Sequence, residues 1–323
     1  MKLLIGTRRG LWEIRGVPGT FGKPELVSPE DWYVNDVRVL AGGSVLVGRK
    51  GGEAFVRNGD WEPLLLPEVT AWGYCPEVPD LIWAGSVPAS MWVSRDGGFT
   101  WEESQAVYDI QDYGSWWVPE PPHQPSVLSI SFSPQRPEVV YASVDGGGVI
   151  RTRNGGRKWR RLEGGIFDTV YTLIAHPREP GVVFAASATG FFRTEDGGMY
   201  WERVIEGIRR LHLQPAELIP GSSKEEDVLL TAGAIAGEEF WDRPEGARAV
   251  VYRSTDWGEY WYPVTKGIGI ELKEMVTAIR DAGAFVAAGS SQGTIWVSID
   301  KGESWTKVVD GLPFVTSIDF AKG

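Results

Sequence analysis

Short apolar runs alternate with turn residues along the whole chain, and seven of these runs recur as the first strand of a repeat. They are Val37 to Leu40, Val69 to Tyr74, Val127 to Phe132, Val170 to Ala175, Ile208 to Leu213, Val276 to Arg280 and Val315 to Phe320. Most are followed by a second strand-like run such as Val140-Tyr141-Ala142-Ser143 and a turn that contains glycine. Runs of this length, bounded by turn residues, are typical of strands. The pattern predicts an all-β protein built from repeats.

A second pattern, Ser/Thr-x-Asp/Asn-x-Gly-x-x-Trp, occurs five times between predicted strands. The copies run from Ser94 to Trp101, Thr152 to Trp159, Thr194 to Trp201, Ser254 to Trp261 and Ser298 to Trp305. A Ser/Thr hydroxyl and an Asp carboxylate two residues later can both hydrogen-bond the backbone of their own hairpin, while the glycine supplies a positive φ. The tryptophan then buries a large ring against the hairpin and the next sheet. We therefore expect a closed turn with a structural role for its aspartates, rather than a calcium site or a catalytic group.

These octapeptides resemble the Asp-box, or BNR repeat, of sialidases, xyloglucan-type glycosidases, sortilin-like receptors and photosystem assembly factors. The resemblance implies a β-propeller in which the repeats lie on hairpins turned away from the active face. It does not imply one activity, because these families include receptors, hydrolases and assembly factors.

The spacing of the repeats favours a seven-bladed β-propeller that occupies residues 1–323 as a single domain, at about 46 residues per blade. Val56 to Trp61 is a shortened hairpin in the second repeat, and the last run, Val315 to Phe320, has no strands after it. We expect this run to pair with the amino-terminal strands and close the ring. A six-bladed ring is the alternative, in which the second repeat is an elaborated loop.

The composition of the chain limits the kinds of partner it is expected to bind and the cellular compartment it is expected to occupy. The net charge of −11 argues against nucleic acid, whose phosphates need a positive field. The single cysteine cannot form an intramolecular disulfide, and neither a signal peptide pattern nor a membrane-length apolar segment is present. We expect a cytoplasmic protein that needs no cofactor, has no metal site and does not bind membranes.

Two long insertions fall on the predicted face opposite the octapeptides, where a ligand would bind at the mouth of the central channel. Glu103 to Gln124 joins the third and fourth blades, and Gly233 to Ala249 joins the second and third strands of the sixth blade. A third insertion, Gln214 to Asp227, is predicted as a turn on the octapeptide face. The first insertion carries Tyr113, Trp116, Trp117 and His123. Its aromatic side chains suit stacking on a sugar, a planar ligand or a partner protein, or else they fold down and plug the channel.

Candidate charged residues lie on the same predicted face. Basic side chains near the first two blades could hold a carboxylate or phosphate, or form scattered surface ion pairs; they are Arg8, Arg9, Arg38, Arg49 and Lys50. Acid/base groups for glycoside hydrolysis would come from Asp36, Asp168, Glu238, Glu239 and His123. Adjacent side chains of an extended segment point apart, so Glu238 and Glu239 could not face one glycosidic oxygen together.

The sequence therefore predicts a propeller that binds a small-molecule ligand, carbohydrate or anionic in character, or a protein partner, at the channel mouth. The alternative is a glycoside hydrolase or lyase of the sialidase-like superfamily that acts on a sugar or sugar acid. The binding function is favoured, because an aromatic loop and a basic patch can be named whereas a pair of catalytic groups at the required spacing cannot.

Overall fold

The computed structural model describes residues 1–166 and 169–321, and within these ranges the chain forms 28 strands. In chain order they are β1 Lys2–Thr7, β2 Leu11–Arg15, β3 Glu25–Leu26, β4 Val34–Val39, β5 Val45–Arg49, β6 Phe55–Asn58, β7 Asp60–Pro63, β8 Glu68–Tyr74, β9 Ile82–Val87, β10 Met91–Ser94, β11 Glu102–Glu103, β12 Val127–Phe132, β13 Val140–Val144, β14 Gly148–Thr152, β15 Trp159–Leu162, β16 Val170–Ala175, β17 Val183–Ser187, β18 Gly190–Thr194, β19 Glu202–Arg203, β20 His212–Ile219, β21 Val228–Ala234, β22 Val250–Ser254, β23 Tyr262–Pro263, β24 Val276–Asp281, β25 Val286–Ser290, β26 Ile295–Ser298, β27 Thr306–Val309 and β28 Val315–Ala321. Single turns of 3-10 helix lie at Gln105–Val107, Tyr113–Ser115, Lys224–Glu226 and Glu238–Phe240.

The strands form seven four-stranded antiparallel sheets, the blades of an all-β, seven-bladed β-propeller. One sheet has the order β28-β1-β2-β3, so it contains both ends of the chain. Its register pairs Leu3 with Phe320 and Ile5 with Ile318. The predicted closure by the two ends is confirmed, and the second repeat is a full sheet, β4 to β7, which rules out the six-bladed alternative.

The octapeptide turns have the hydrogen bonding that their sequence predicts. In the first, the Ser94 hydroxyl donates to Asp96 Oδ1 at 2.8 Å and accepts the Gly98 N–H at 2.8 Å. Asp96 Oδ1 in turn accepts the Thr100 N–H at 2.9 Å. The other four copies repeat the link from the Ser or Thr hydroxyl to the Asp or Asn and the link to the glycine. Each turn is therefore closed by its own side chains, as the sequence predicts.

Contacts divide the chain into two compact units. The first contains Met1–Val39, Ala186–Phe191 and Arg203 onward, and the second contains Leu40–Ala185 and Phe192–Glu202. Each unit has its own buried clusters, one centred in the first unit on Trp241, Trp296 and Trp305, and one in the second on Trp83 and Trp159. The assignment of residues 1–323 to a single domain stays a prediction.

The first strand along the chain is called the inner strand of its sheet, except in the sheet that contains both chain ends, where β28 is the inner strand. Several inner strands carry a threonine whose hydroxyl donates a hydrogen bond to another inner strand. The Thr70 hydroxyl donates to the Val127 carbonyl at 2.6 Å in the second unit. The Thr316 hydroxyl donates to the Val34 carbonyl at 2.7 Å in the first unit, and Thr277 makes the equivalent bond there at 2.6 Å. These bonds join one inner strand to the beginning of the next.

One inner strand differs most from its predicted bounds. The run Ile208 to Leu213 was expected to be this strand, followed by a long turn from Gln214, but β20 spans His212–Ile219 and so begins and ends later. The pairing of β20 with β21 shifts register between Leu213 and Ala216, where Pro215 lies. Proline cannot donate to the ladder and is accommodated at such a bulge. Strand β20 therefore continues past Pro215 and ends at Ile219. The turn is confined to the segment between Ile219 and Val228.

Candidate functional site

The turn between β1 and β2 holds Arg8 in a fixed position. The Thr7 N–H and hydroxyl both donate to the Gly10 carbonyl, at 3.1 and 2.8 Å. The Arg8 N–H donates to the carbonyl of Phe314, the residue before β28, at 3.0 Å. The backbone of Arg8 is thus bound to the start of an inner strand, on the side where the inner strands begin.

Aromatic rings and a carboxylate surround the Arg8 guanidinium. Its central carbon lies 3.6 Å from the centroid of the Phe314 ring and 5.6 Å from that of Tyr33, and it forms an ion pair with Glu238. Burial lowers the pKa of Arg8, but the hydrogen bond to Glu238 and the charge interactions with Tyr33 and Glu238 outweigh it and raise the pKa above its ordinary value. The guanidinium is oriented by cation–π contact while a third of the side chain remains exposed (33 %).

The insertion that carries Glu238 is anchored by a tryptophan. Trp241 is buried, donates its indole N–H to the Ala236 carbonyl at 2.9 Å, and stacks on Phe314 with ring planes 14° apart and centroids 6.3 Å apart. Glu238 begins a single turn of 3-10 helix and is about half exposed. The loop therefore places an exposed carboxylate against Arg8 from a firmly packed base. We call Arg8, Tyr33, Glu238, Trp241 and Phe314 the Arg8 site.

His212 and Glu239 adjoin the Arg8 site. The His212 ring lies 6.5 Å from that of Trp241 at 77°. Burial lowers the pKa of His212, and the charge of Glu239 partly offsets this effect. Glu238 and Glu239 belong to a helical turn rather than the extended segment expected from the sequence, and Glu238 is engaged with Arg8 while Glu239 is exposed.

The other basic candidates of the first unit do not join Arg8. Arg9 pairs with Glu30 at the surface. Arg38 lies 3.5 Å from Asp36, whose carboxylate accepts the N–H of the next residue, Val37, at 2.9 Å. Val39 donates to Asp319 near the end of β28, whereas Arg8 is bound at its start. Five residues of strand separate Phe314 from Asp319 by about 17 Å, so the backbone at Arg38, next to Val39, lies away from the Arg8 site.

In the second unit, the remaining basic candidates lie at the turn between β5 and β6. The Arg49 guanidinium is 5.7 Å from the Phe55 ring. Lys50 is exposed in the turn, and the next residue, Gly51, donates its N–H to Glu68 at 2.6 Å. Arg49 is therefore oriented by an aromatic ring, and its part in binding stays a prediction.

The aromatic insertion of the second unit is largely folded onto its own residues. Trp116 is buried (7 % exposed) and contacts Tyr113 with centroids 4.8 Å apart, and the Tyr113 hydroxyl donates to the Ala89 carbonyl at 2.8 Å. Trp117 is exposed (57 %) and stacks on His123 at 5.3 Å and 14°. His123 Nδ1 is 3.0 Å from the Val118 carbonyl oxygen. Of these rings, Trp117 and His123 are exposed, and they stack on each other. Asp168 lies outside the described residues.

A charged cluster on the inner strands was missed by sequence reasoning. Arg280 Nε lies 3.1 Å from Asp319 Oδ1, and its Nη1 lies 4.0 Å from Glu217. Burial raises the pKa of Glu217 to about 7, with Arg280 opposing the shift. Arg38, Arg280 and Asp319 are each the fifth residue of their strands. A charge recurring at one position of the repeat was the signal that could have revealed the cluster.

No group of three or more His, Cys, Asp or Glu side chains among residues 1–166 and 169–321 is arranged to hold a metal ion. Within the same ranges no helix has the length and apolar character needed to cross a membrane.

Comparisons with known proteins show the fold class but no activity. No family model matches the sequence, and no curated protein does either. A GH74 enzyme from Niastella koreensis superposes with a TM-score of 0.62 and 14 % identity, over 85 % of this chain and 45 % of that one, so this chain spans less than half of the enzyme's length. YCF48 bound to a D1 peptide gives 0.55 and 16 %, over 86 % and 82 %. The WD40 repeats of RRP9 give 0.58 and 13 %, over 88 % and 82 %.

These neighbours are an enzyme, a protein with a bound peptide and a set of WD40 repeats, and they share the fold. Identities of 13 to 16 % show a common fold and carry no activity with them.

Proposed function

We propose that this protein is an Asp-box propeller that binds a protein partner at the Arg8 site through an acidic group of the partner. The observation that carries the proposal is the arrangement of Arg8, which is held 3.6 Å above Phe314 and is paired with a loop carboxylate. An arginine oriented in advance on an aromatic ring loses little freedom on binding a carboxylate. Phe314, which packs on the buried Trp241, is partly exposed and supplies apolar surface beside the charge.

In this proposal Glu238 acts as an internal competitor for Arg8. It is half exposed on an insertion, so a carboxylate of the partner can replace it without disturbing the core. The partner segment that fits is a peptide with an Asp, Glu or terminal carboxylate next to an apolar side chain. YCF48 with its bound D1 peptide is a structural neighbour of this fold, which supports a peptide as the partner class.

The experiment is a selection of random peptides displayed on phage, followed by titration of a selected peptide by fluorescence polarisation. Selected peptides should be enriched in acidic residues. Arg8→Gln should weaken binding at least about tenfold, since hydrogen bonds to charged groups contribute ~1.5–3 kcal/mol. Glu238→Gln should strengthen it. Arg57→Gln is the matched control, because Arg57 also lies against an aromatic ring, 5.6 Å from Trp61. Equal affinity for wild type and Arg8→Gln would refute the proposal.

A second candidate function, hydrolysis of a glycosidic bond, rests on Glu217 and Asp319. Both carboxyl groups contact Arg280, and a pKa of about 7 leaves a large fraction of Glu217 protonated near neutral pH. A protonated acid beside an ionised carboxylate is the combination that glycosidases use. Assays with aryl glycosides test this function: it requires turnover in the wild type that Glu217→Gln abolishes, and absence of turnover across the panel excludes it.

A further inference from the structure

The chain carries three asparagines, and two of them are followed by glycine. Asn58-Gly59 joins β6 to β7 in the shortened hairpin of the second repeat, and Asn154-Gly155 lies in the second octapeptide. Asparagine is thermolabile, and it is most labile before glycine, which has no Cβ to keep its backbone nitrogen away from the asparagine side chain. The two sites therefore share one reactive sequence, and their surroundings decide whether it reacts.

The Asn154 site is held closed by hydrogen bonds. Asn154 Oδ1 accepts the Thr152 hydroxyl at 3.0 Å and the Lys158 N–H at 2.9 Å. The Gly155 nitrogen would have to attack the Asn154 side chain, but its N–H donates to the Glu138 carbonyl at 2.9 Å. Both reacting groups are engaged, so the octapeptide turn has to open before Asn154 can react.

The Asn58 site has none of these restraints. Asn58 and Gly59 are both exposed, and among residues 1–166 and 169–321 neither the Asn58 side-chain amide nor the Gly59 N–H has a hydrogen-bond partner. Arg57 Nε donates to the Gly59 carbonyl at 3.3 Å, which leaves the Gly59 N–H free. Apart from its chain neighbours, no atom lies within 4 Å of the position that a Cβ on Gly59 would take. The two reacting groups are therefore open to each other and to water.

The hairpin of β6 and β7 lies at the weakly packed edge of its sheet. Neither strand contains a buried residue. The sheet has the order β4-β5-β6-β7, so β7 is an edge strand. Segments with few buried contacts open locally at a much smaller cost in free energy than the whole fold. The tip of this hairpin can therefore open and bring the Asn58 side chain to the Gly59 nitrogen.

We propose that Asn58 is a site of spontaneous deamidation to aspartate and isoaspartate. The deprotonated Gly59 nitrogen attacks Cγ of Asn58, so that the N–Cγ bond forms, the Cγ–Nδ2 bond breaks and the amide nitrogen leaves as ammonia. Water then adds to either carbonyl carbon of the cyclic imide and opens it, which leaves a carboxylate in an aspartyl or an isoaspartyl linkage. The sum is the exchange of NH2 for OH, and nothing is oxidised or reduced.

The modification changes the hairpin in which it occurs. Asn58 lies opposite Asp60 in the register of β6 and β7, so the new carboxylate faces another one. Like charges at directly opposite positions destabilise a sheet. An isoaspartyl linkage also adds a methylene group to the backbone and disturbs the pairing. Deamidation therefore loosens this hairpin and exposes an isoaspartyl carboxylate that a methyltransferase specific for isoaspartate can modify. The proposal does not depend on the function proposed for the Arg8 site.

Peptide mapping by mass spectrometry, after incubation of the folded protein near neutral pH, measures both sites in one molecule. Asn58 should convert at least about tenfold faster than Asn154, because Asn154 has to wait for the octapeptide turn to open. In urea this protection is lost, and the two rates should become similar because each asparagine precedes a glycine. Equal rates in the folded protein, or faster conversion of Asn154, would overturn the proposal.

Thr152→Val tests the structural reason for the difference. It removes the hydroxyl that donates to Asn154 and accepts the Gly156 N–H, so Asn154 should convert faster. Asn58 is the internal reference and should keep its rate, and circular dichroism checks that the variant is folded. An unchanged Asn154 rate in the folded variant would contradict the protection by the octapeptide.

Asn58→Gln tests the product. Glutamine keeps the amide at the same exposed position but forms a cyclic imide far more slowly, so this position should stay unmodified. After incubation, the wild type should accept more methyl groups from S-adenosylmethionine and an isoaspartyl methyltransferase than Asn58→Gln does. Equal methylation of the two proteins would refute the formation of isoaspartate at position 58.

Discussion

Replacing Glu217 by glutamine is expected to change how the stability of the protein depends on pH. Burial raises the pKa of Glu217 from 4.5 to about 7, while Arg280 opposes the shift. The folded state therefore holds this proton more tightly than the unfolded chain does. The resulting stabilisation is complete below about pH 4.5 and is lost as the pH rises through 7. The difference between these pKa values corresponds to about 3 kcal/mol.

Urea denaturation at pH 5 and pH 8.5 measures this effect. Glutamine cannot ionise, so the stability of Glu217→Gln relative to the wild type should rise by about 3 kcal/mol between the two pH values. Glu206→Gln, at an exposed position, is the control and should show no comparable change. A constant difference between wild type and Glu217→Gln across this range would refute the raised pKa of Glu217.

Three further substitutions test the fold by the same denaturation assay. Gly207→Ala should cost ~2–4 kcal/mol, because φ is 90° there and an added Cβ would lie 2.0 Å from the Trp261 carbonyl oxygen; a loss below 0.5 kcal/mol would contradict this packing. Thr316→Val should cost ~1 kcal/mol by removing the bond to Val34, and no loss would mean that the bond is not formed. Asp300→Ala should cost ~1–2 kcal/mol by opening its octapeptide turn, and unchanged stability would argue against a structural role for the motif.

The blades could be predicted from the sequence because their determinants are local. In the first octapeptide, the Ser94 hydroxyl, the Asp96 carboxylate and the following glycine all act within one hairpin. A stretch of eight consecutive residues is therefore enough to specify the turn. Closure by the two chain ends was equally predictable, because an inner run without following strands has to pair elsewhere. The extent of β20 was not predictable. Proline usually ends a strand, and only the structure shows that a bulge at Pro215 lets the strand continue.

The candidate site was predicted only in part, because its contacts join residues that are distant in the chain. Arg8 and Glu238 were visible as chemical types in loops. The ring beneath Arg8, Phe314, lies at the other end of the sequence, and its position depends on the pairing of β1 with β28. The bond of Arg280 to Asp319 similarly depends on which side chains of two inner strands face each other. The sequence alone does not show which distant residues will lie next to each other in the fold.

The central claim, that Arg8 is the anchor for an acidic partner, is tested most directly by the affinity of one selected acidic peptide for three proteins. The account predicts at least about tenfold weaker binding to Arg8→Gln, tighter binding to Glu238→Gln and unchanged binding to Arg57→Gln. Opposite effects at Arg8 and Glu238 would show that the peptide competes with the internal ion pair. Equal affinities for all the variants and the wild type would contradict the account and place the partner's binding surface elsewhere.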